Sequence, residues 1–538
     1  MSGKPKIKPK MIVVGWDGAT WDLINPLVEQ GRLPNLAALR QRGSWGPFLS
    51  TVPPFTPVAW TSIATGVNPG QHGIFDAFRL DPHTGKNTFY NATQRRRPAI
   101  WRLLERAGYK VGVLNVPMTY PAETVDGFFV SGMFTPPGAP RFMHPPGLAE
   151  ELANRFGPYE LECPHDPSPA RHLELLLGMV RSRTELALHL MERFDPDFFF
   201  LVYVAIDRAQ HFAMGFLEPD HPQHAAHAGF IARVYEELDQ SLGRLLAAMG
   251  PAANVMMVSD HGAGPLRRSL VLDNWLRREG YLHLKPGQSG AAGGGLVSRI
   301  GLRLLSLVDK AEAAKRRARG LDRGLNAFVE AIDWERTQAH TQGAAGWISL
   351  NRRAVPEERR ELLLEELRQG LYALRDEDGL APVEAVHLSR EIYHGQALAE
   401  APDMLIICAP GYQIKGPSEF SLFREKLGLE IFTDHRWSGR HEMNGIFLLA
   451  GPGARPGQVL ADCKVVDAAP TALYCLDQPI PDYMDGRVLA EALDPALWAA
   501  RPPRLAGGAE EDAGSAAVLS PEEEREVAER LRDLGYIE

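Results

Sequence analysis

Short apolar runs of strand length alternate with longer stretches whose apolar positions recur at helical spacing. Met11–Gly15, Lys110–Val116, Phe198–Val204, Asn254–Ser259, Asp403–Cys408 and Ile446–Ala450 read as buried strands. Pro98–Ala107, Arg171–Phe194 and Gly229–Met249 read as helices. Continuous apolar runs interleaved with helices predict an α/β fold with a mostly parallel sheet covered on both faces, a three-layer α/β/α sandwich. In such sheets ligands collect at the carboxyl ends of the strands.

The alternation breaks over residues 266–343. Gly287–Gly295 is rich in Gly, Ala and Ser, as in a flexible connection. Arg299–Val329 is helical in pattern and rich in Lys and Arg. The region is expected to be an insertion, either a lid over the main sheet or a peripheral decoration. The main domain is expected over 8–500. Residues 501–538 are expected to form a small, polar linker and a short C-terminal helix, opened by Ser520 at its N-cap and Pro521 at its first turn. No repeat of solenoid period is present.

Composition narrows the function classes. The 538 residues are 45% hydrophobic and 23% charged, ordinary for a globular chain. A net charge of −9 argues against a nucleic-acid binder with a basic face. It leaves room for a small phosphorylated substrate at a locally positive, metal-loaded site. Four cysteines without CxxC spacing argue against a disulfide scaffold or a thiolate zinc site. The basic N-terminus runs straight into Met11–Val14, which is too short for a signal sequence. No apolar stretch is long enough to span a bilayer. A cytoplasmic protein with no membrane partner is expected.

Chemistry enters at the strand ends. Val14-Gly15-Trp16-Asp17-Gly18 puts a carboxylate after the first strand, although Asp-Gly is commonly a plain turn. Asp207 and His211 follow Phe198–Val204; four apart, they share one face if the chain turns helical. Ser259-Asp260-His261-Gly262 closes another strand, and Gly439-Arg440-His441-Glu442 precedes the last. His441-Glu442 does not continue as HExxH, because position 445 is Gly. Each motif alone is weak. Together, three Asp and three His near the ends of one sheet suit zinc, with manganese or iron as alternatives, and suffice for two ions.

The segment Pro53-Pro54-Phe55-Thr56-Pro57-Val58-Ala59-Trp60 reads as an extended approach into a helix. Thr56 is then at a helix N-terminus, where free N–H groups and the dipole favour an anion. Alone, Thr56 reads as an N-cap. Beside a metal-ligand set its hydroxyl becomes a candidate nucleophile.

These segments, with Thr65-Gly66, Pro69-Gly70-Gln71-His72-Gly73-Ile74, Asp467–Leu473 and Met484-Asp485-Gly486-Arg487, resemble the alkaline phosphatase superfamily over most of residues 10–490. The resemblance is to its nucleotide pyrophosphatase/phosphodiesterase-like branch. Asn115–Pro121 further resembles bacterial members described as predicted phosphohydrolases or phosphomutases. The resemblance implies one ion held by Asp17, Asp260 and His261 and touching Thr56. It implies a second ion held by Asp207, His211 and His441, and a phosphothreonine intermediate. The implied function is a metal-dependent phosphoester hydrolase, with diesters slightly preferred.

The pattern departs from the nucleotide phosphodiesterases at Ile74-Phe75-Asp76-Ala77-Phe78, where their phosphate-contacting Asn has no counterpart. That leaves the substrate class open. Asp76 and Arg440 are lesser candidates for substrate contacts, with a helix cap and a solvated surface group as the respective plain readings. His72 reads as structural, His435 as a surface or phosphate-facing group, and Lys315, Arg316, Arg317 and Arg319 as a solvated helix face. Trp60 and Trp101 read as core. Thr at 56 and Trp at 60 exclude the sulfatase motif. A phosphomutase and a non-catalytic metal-binding protein are the alternatives.

Overall fold

The structure, a computed structural model, describes residues 10–80, 87–136, 138–285, 326–341, 346–415, 430–433 and 438–507, with Glu523 and Val527. Nine strands form the main sheet: β1 (Met11–Trp16), β2 (Gly43–Leu49), β3 (Val111–Val116), β4 (Gly127–Ser131), β5 (Met143–His144), β6 (Phe198–Tyr203), β7 (Asn254–Val258), β8 (Asn444–Ala450) and β9 (Gln458–Val459). Their spatial order is β9-β2-β8-β7-β1-β6-β3-β4-β5.

The four central strands β7, β1, β6 and β3 run parallel. Every residue in them is buried, because helices cover both faces. One helical layer holds Trp21–Glu29, Pro34–Arg42, Pro169–Phe194 and Phe230–Met249; the other holds Thr56–Thr65, Ile100–Arg106 and Ala468–Cys475. The fold is therefore the expected three-layer α/β/α sandwich. Strand β8 lies antiparallel between β2 and β7, and β5 closes the far edge antiparallel to β4.

Close packing between layers has a local requirement at Gly15. A Cβ there would meet Trp60 Cη2 at 2.4 Å and Val202 Cγ2 at 2.9 Å. Gly15→Ala is expected to destabilise the fold by about 1–3 kcal/mol through forced repacking of a buried indole. A urea midpoint equal to wild type would contradict this reading of the layer contact.

A second, smaller unit has its own apolar core, running from Leu270 to Ile431 and centred on Trp275, Leu276, Ile348, Leu367, Leu371 and Ile406. It carries a four-stranded sheet in the order Ala339–His340, Trp347–Leu350, Met404–Cys408, Val383–Leu388, packed by the helix Glu357–Ala373. The apolar run at 403–408 thus pairs antiparallel in this sheet and not in the main one. Residues 266–343 contribute to this core together with chain on the far side of position 343.

Gly287–Gly295, most of Arg299–Val329 with Lys315, Arg316, Arg317 and Arg319, and His435 lie outside the described residues. So does most of 508–538, from which Glu523 accepts a hydrogen bond from Tyr120 at 2.9 Å. Among the described residues no helix is long and apolar enough to cross a membrane.

Candidate active site

Three adjacent strands each deliver an aspartate at the same end of the sheet. Asp17 follows β1, Asp207 lies in the first turn of the helix Ala205–Ala213 after β6, and Asp260 follows β7. Because β7, β1 and β6 are neighbours, the carboxylates emerge side by side at strand spacing. All three are essentially inaccessible, at 0%, 1% and 0% exposure. The turn after β1 requires glycine. Gly18 has φ +72°, and a Cβ there would lie 3.0 Å from Asp207 Oδ1. Its N–H donates to Asp260 Oδ1 at 3.1 Å.

The histidines arrive from two directions. His211 is one turn beyond Asp207 on the same helix face, with Nε2 3.3 Å from Asp207 Oδ1. His261 follows Asp260 directly. His441 is on the strand Gly439–Glu442, which pairs antiparallel with Gly262–Pro265 so that Ala263 faces His441. This register stacks the rings of His261 and His441 at 3.6 Å between centroids. It brings His441 Nε2 to 3.0 Å from His211 Nε2 and 3.6 Å from Asp207 Oδ1.

The hydrogen bonds fix which ring nitrogen faces inward. His211, His261 and His441 each place Nδ1 within 3.0 Å of a backbone carbonyl, those of Gly439, Gly262 and Pro54. A carbonyl only accepts, so Nδ1 carries the hydrogen and Nε2 presents a lone pair to the carboxylates. Two lone pairs facing at 3.0 Å are repulsive unless a cation lies between them. Three buried carboxylate oxygens, Asp17 Oδ1, Asp207 Oδ2 and Asp260 Oδ2, have no hydrogen-bond partner. Divalent metal ions fit this donor set.

Electrostatics agree. Burial, then the charges of Asp260 and Asp207, push the Asp17 carboxyl well above its ordinary range. Burial pushes Asp260 up to about 6. Burial, with His261 and His211 adding to it, holds His441 well below the usual imidazole range. Two ligand groups result: Asp207, His211 and His441, and Asp17, Asp207 and His261. Asp260 borders the second, 3.2 Å from His261 Nε2. Asp207 belongs to both.

Thr56 is the first residue of the helix Thr56–Thr65 and fully buried. The N-cap position falls on Phe55 instead, so Thr56 is not the cap. Its Oγ1 lies 3.2 Å from His261 Nε2. The same helix carries Trp60, whose Nε1–H donates to Asp17 Oδ2 at 2.8 Å. Trp60 is core, as its sequence context implies, and it also orients a ligand. Trp60→Phe is expected to lower kcat/KM about 10-fold while keeping the fold, since lost support of a metal ligand typically costs 10–100-fold. Unchanged kcat/KM and metal affinity would show that Asp17 is oriented without it.

Asp76 is buried, accepts from Ala77 N at 2.6 Å and from Trp347 Nε1 at 2.7 Å, and so joins the main domain to the second unit. Arg440 turns away from His441. Its Nε and Nη2 donate to Glu442, and its Nη1 donates to the carbonyls of Cys408 and Tyr412. His72 is buried and hydrogen-bonded within its own segment, to Ser62 Oγ and from Ile74 N. Arg208 was not singled out from the sequence. Its guanidinium lies 3.4 Å from Asp207 Oδ2 and 3.5 Å from Glu162, and all three side chains are buried. The only available signal was its adjacency to Asp207.

A parallel sheet with carboxylates and imidazoles converging at its carboxyl end, beside a hydroxyl that opens a helix, is the layout of a metal-dependent phosphoester hydrolase. The sequence profile of the type I phosphodiesterase / nucleotide pyrophosphatase family matches residues 11–435. The chain belongs to that family and is a phosphoric ester hydrolase of alkaline phosphatase-like fold. Solved structures agree on the fold. Phosphonoacetate hydrolase from Sinorhizobium meliloti 1021, in complex with phosphonoformate, superposes with a TM-score of 0.53 at 16% identity, covering 87% of this chain and 96% of that one. Human ectonucleotide pyrophosphatase/phosphodiesterase 5 gives 0.51 at 16% identity over 90% and 100%. An inactive threonine-to-alanine variant of the murine enzyme, in complex with AMP, gives 0.50 at 15% identity over 90% and 100%.

Proposed function

We propose that the protein hydrolyses a phosphodiester through a covalent phosphothreonine at Thr56, with two divalent cations bound. The observation that carries this reading is the placement of Thr56 Oγ1 3.2 Å from His261 Nε2, against three buried carboxylates that each keep one oxygen without a hydrogen bond. Asp17, Asp260 and His261 would hold one ion and Asp207, His211 and His441 the other. Zinc suits the donors, with manganese or iron as alternatives. When bound, such ions supply Lewis-acid stabilisation of charge at phosphorus and favour the deprotonated hydroxyl.

Within that frame the chain's own groups divide the work. Thr56 Oγ1 attacks phosphorus, the bond to the leaving alcohol breaks, the hydroxyl proton ends on that alcohol, and a phosphothreonine diester remains. Water then attacks the same phosphorus and restores the Thr56 hydroxyl. The backbone carbonyls of Gly439, Gly262 and Pro54 keep the three imidazoles in the tautomer that faces the site. The complete burial of Thr56 and the three aspartates keeps bulk water from screening them. The four cysteines are buried and unpaired, which supports a reducing, cytoplasmic setting.

The test is a paired assay of metal-loaded protein on an aryl phosphodiester and an aryl phosphomonoester. Faster turnover of the diester is expected. Preference for the monoester would overturn the diester assignment, and no turnover of either with two ions bound would favour phosphoryl transfer to a second hydroxyl.

A further inference from the structure

One buried cation has no part in the chemistry above. Arg183, on the helix Pro169–Phe194, is 4% exposed. Its Nη2 donates to the backbone carbonyl of Glu160 at 2.8 Å, and its guanidinium carbon lies 4.3 Å from the centre of the Tyr159 ring. No carboxylate among the described residues pairs with it. A buried guanidinium without an acid partner is uncommon, because its desolvation costs several kcal/mol. Burial pushes it down to about 9.

Arg183 also lines a cavity of about 240 Å³, enclosed by the helix Leu148–Phe156, the turn through Gly157, Pro158, Tyr159 and Glu160, and its own helix. This is just below the roughly 300–1,000 Å³ of pockets for drug-sized ligands and has room for a small oxyanion together with water. The wall is fixed in place. Tyr159 donates from its hydroxyl to Asn115 Oδ1 at 3.1 Å, and Asn115 Nδ2 donates to the carbonyl of Val202 at 2.9 Å. Glu160 is exposed and meets Arg183 through its carbonyl, so its carboxylate does not neutralise the guanidinium.

We propose that this cavity binds a small oxyanion, a carboxylate or a phosphate, on the guanidinium of Arg183. With one hydrogen of Nη2 engaged by Glu160, the guanidinium keeps N–H donors on Nε and Nη1 that make no hydrogen bond among the described residues, and its charge suits an oxyanion. None of the candidate metal ligands lines this cavity. The site stands whether or not the phosphodiester reading holds.

The test is isothermal titration of metal-loaded full-length protein with inorganic phosphate and, separately, with acetate. Wild type is expected to bind two phosphates per chain, one at the metal centre and one at Arg183. Arg183→Met is expected to bind one, and Arg183→Lys to keep the second with weaker affinity. Acetate filling the Arg183 class identifies a carboxylate site; phosphate alone filling it identifies a phosphate site. Equal phosphate stoichiometry in wild type and Arg183→Met would overturn the proposal. Should the variants fail to fold, selenate soaked into wild-type crystals gives an independent answer. An anomalous peak at the Arg183 guanidinium supports the site, and peaks confined to the metal centre overturn it.

Discussion

Replacing Thr56 by alanine is expected to lower turnover of an aryl phosphodiester by at least about 10⁴-fold, on the scale seen when a covalent nucleophile is deleted. The loss should fall on kcat, because the ligand cluster is untouched. Asp17, Asp207 and Asp260 emerge from strands, and His211 and His441 take their orientation from the carbonyls of Gly439 and Pro54. Metal content, read by elemental mass spectrometry, should therefore stay near two ions per chain. Turnover within about 10-fold of wild type would exclude a covalent route through Thr56. Turnover lost together with the metals would mean that Thr56 Oγ1 serves chiefly as a ligand.

The second large effect is expected at Asp207. Among the described residues it is the one carboxylate common to both groups, close to His211 and His441 on one side and in a common cluster with Asp17 and His261 on the other. Asp207→Asn keeps the shape and removes the charge. It should reduce bound metal from about two ions to below one per chain and cut kcat/KM by at least about 10³-fold. An isosteric change at Asp260, which borders only the second group, should cost one ion. Equal metal loss at the two positions would refute the shared role of Asp207.

Much of this arrangement was readable from sequence, for a physical reason. Strands buried on both faces must be apolar throughout, so β1, β3, β6 and β7 announced themselves as continuous runs within a residue or two of their observed bounds. The convergence of the candidate ligands was readable because polar residues abruptly ending such runs have few structural reasons to be there. Strand β2 was not readable: GSWGPFL carries two glycines and a proline, and its place in the sheet comes from pairing along its whole length with β8. Likewise 403–408 shows strand length but not its partner, and the second unit has a core assembled from chain on both sides of its middle.

At the site, the sequence could not show that Arg440 would be committed to Glu442 and the carbonyls of Cys408 and Tyr412. Nor could it show that Asp76 would be held by Trp347. Those pairings come from chain segments folded against one another, far apart in sequence. Trp60 illustrates the same limit from the other side. An indole in an apolar helix reads as packing, and nothing local reveals the carboxylate waiting at its N–H.

The position of β8 between β2 and β7 also governs how the molecule is made. Strand β2 ends at Leu49, and the strand that joins it to the sheet starts at Asn444, a difference of 444 − 49 = 395 positions. At roughly 5–20 residues per second of synthesis, β2 waits about 20–80 s for its partner. Through that interval the nascent chain can assemble β1, β3, β4 and β6 from nearer neighbours, but β2 keeps an unpaired edge. Such an edge is where neighbouring chains add on. The dependence of this fold on a late antiparallel strand therefore makes translation itself the period of greatest exposure to aggregation.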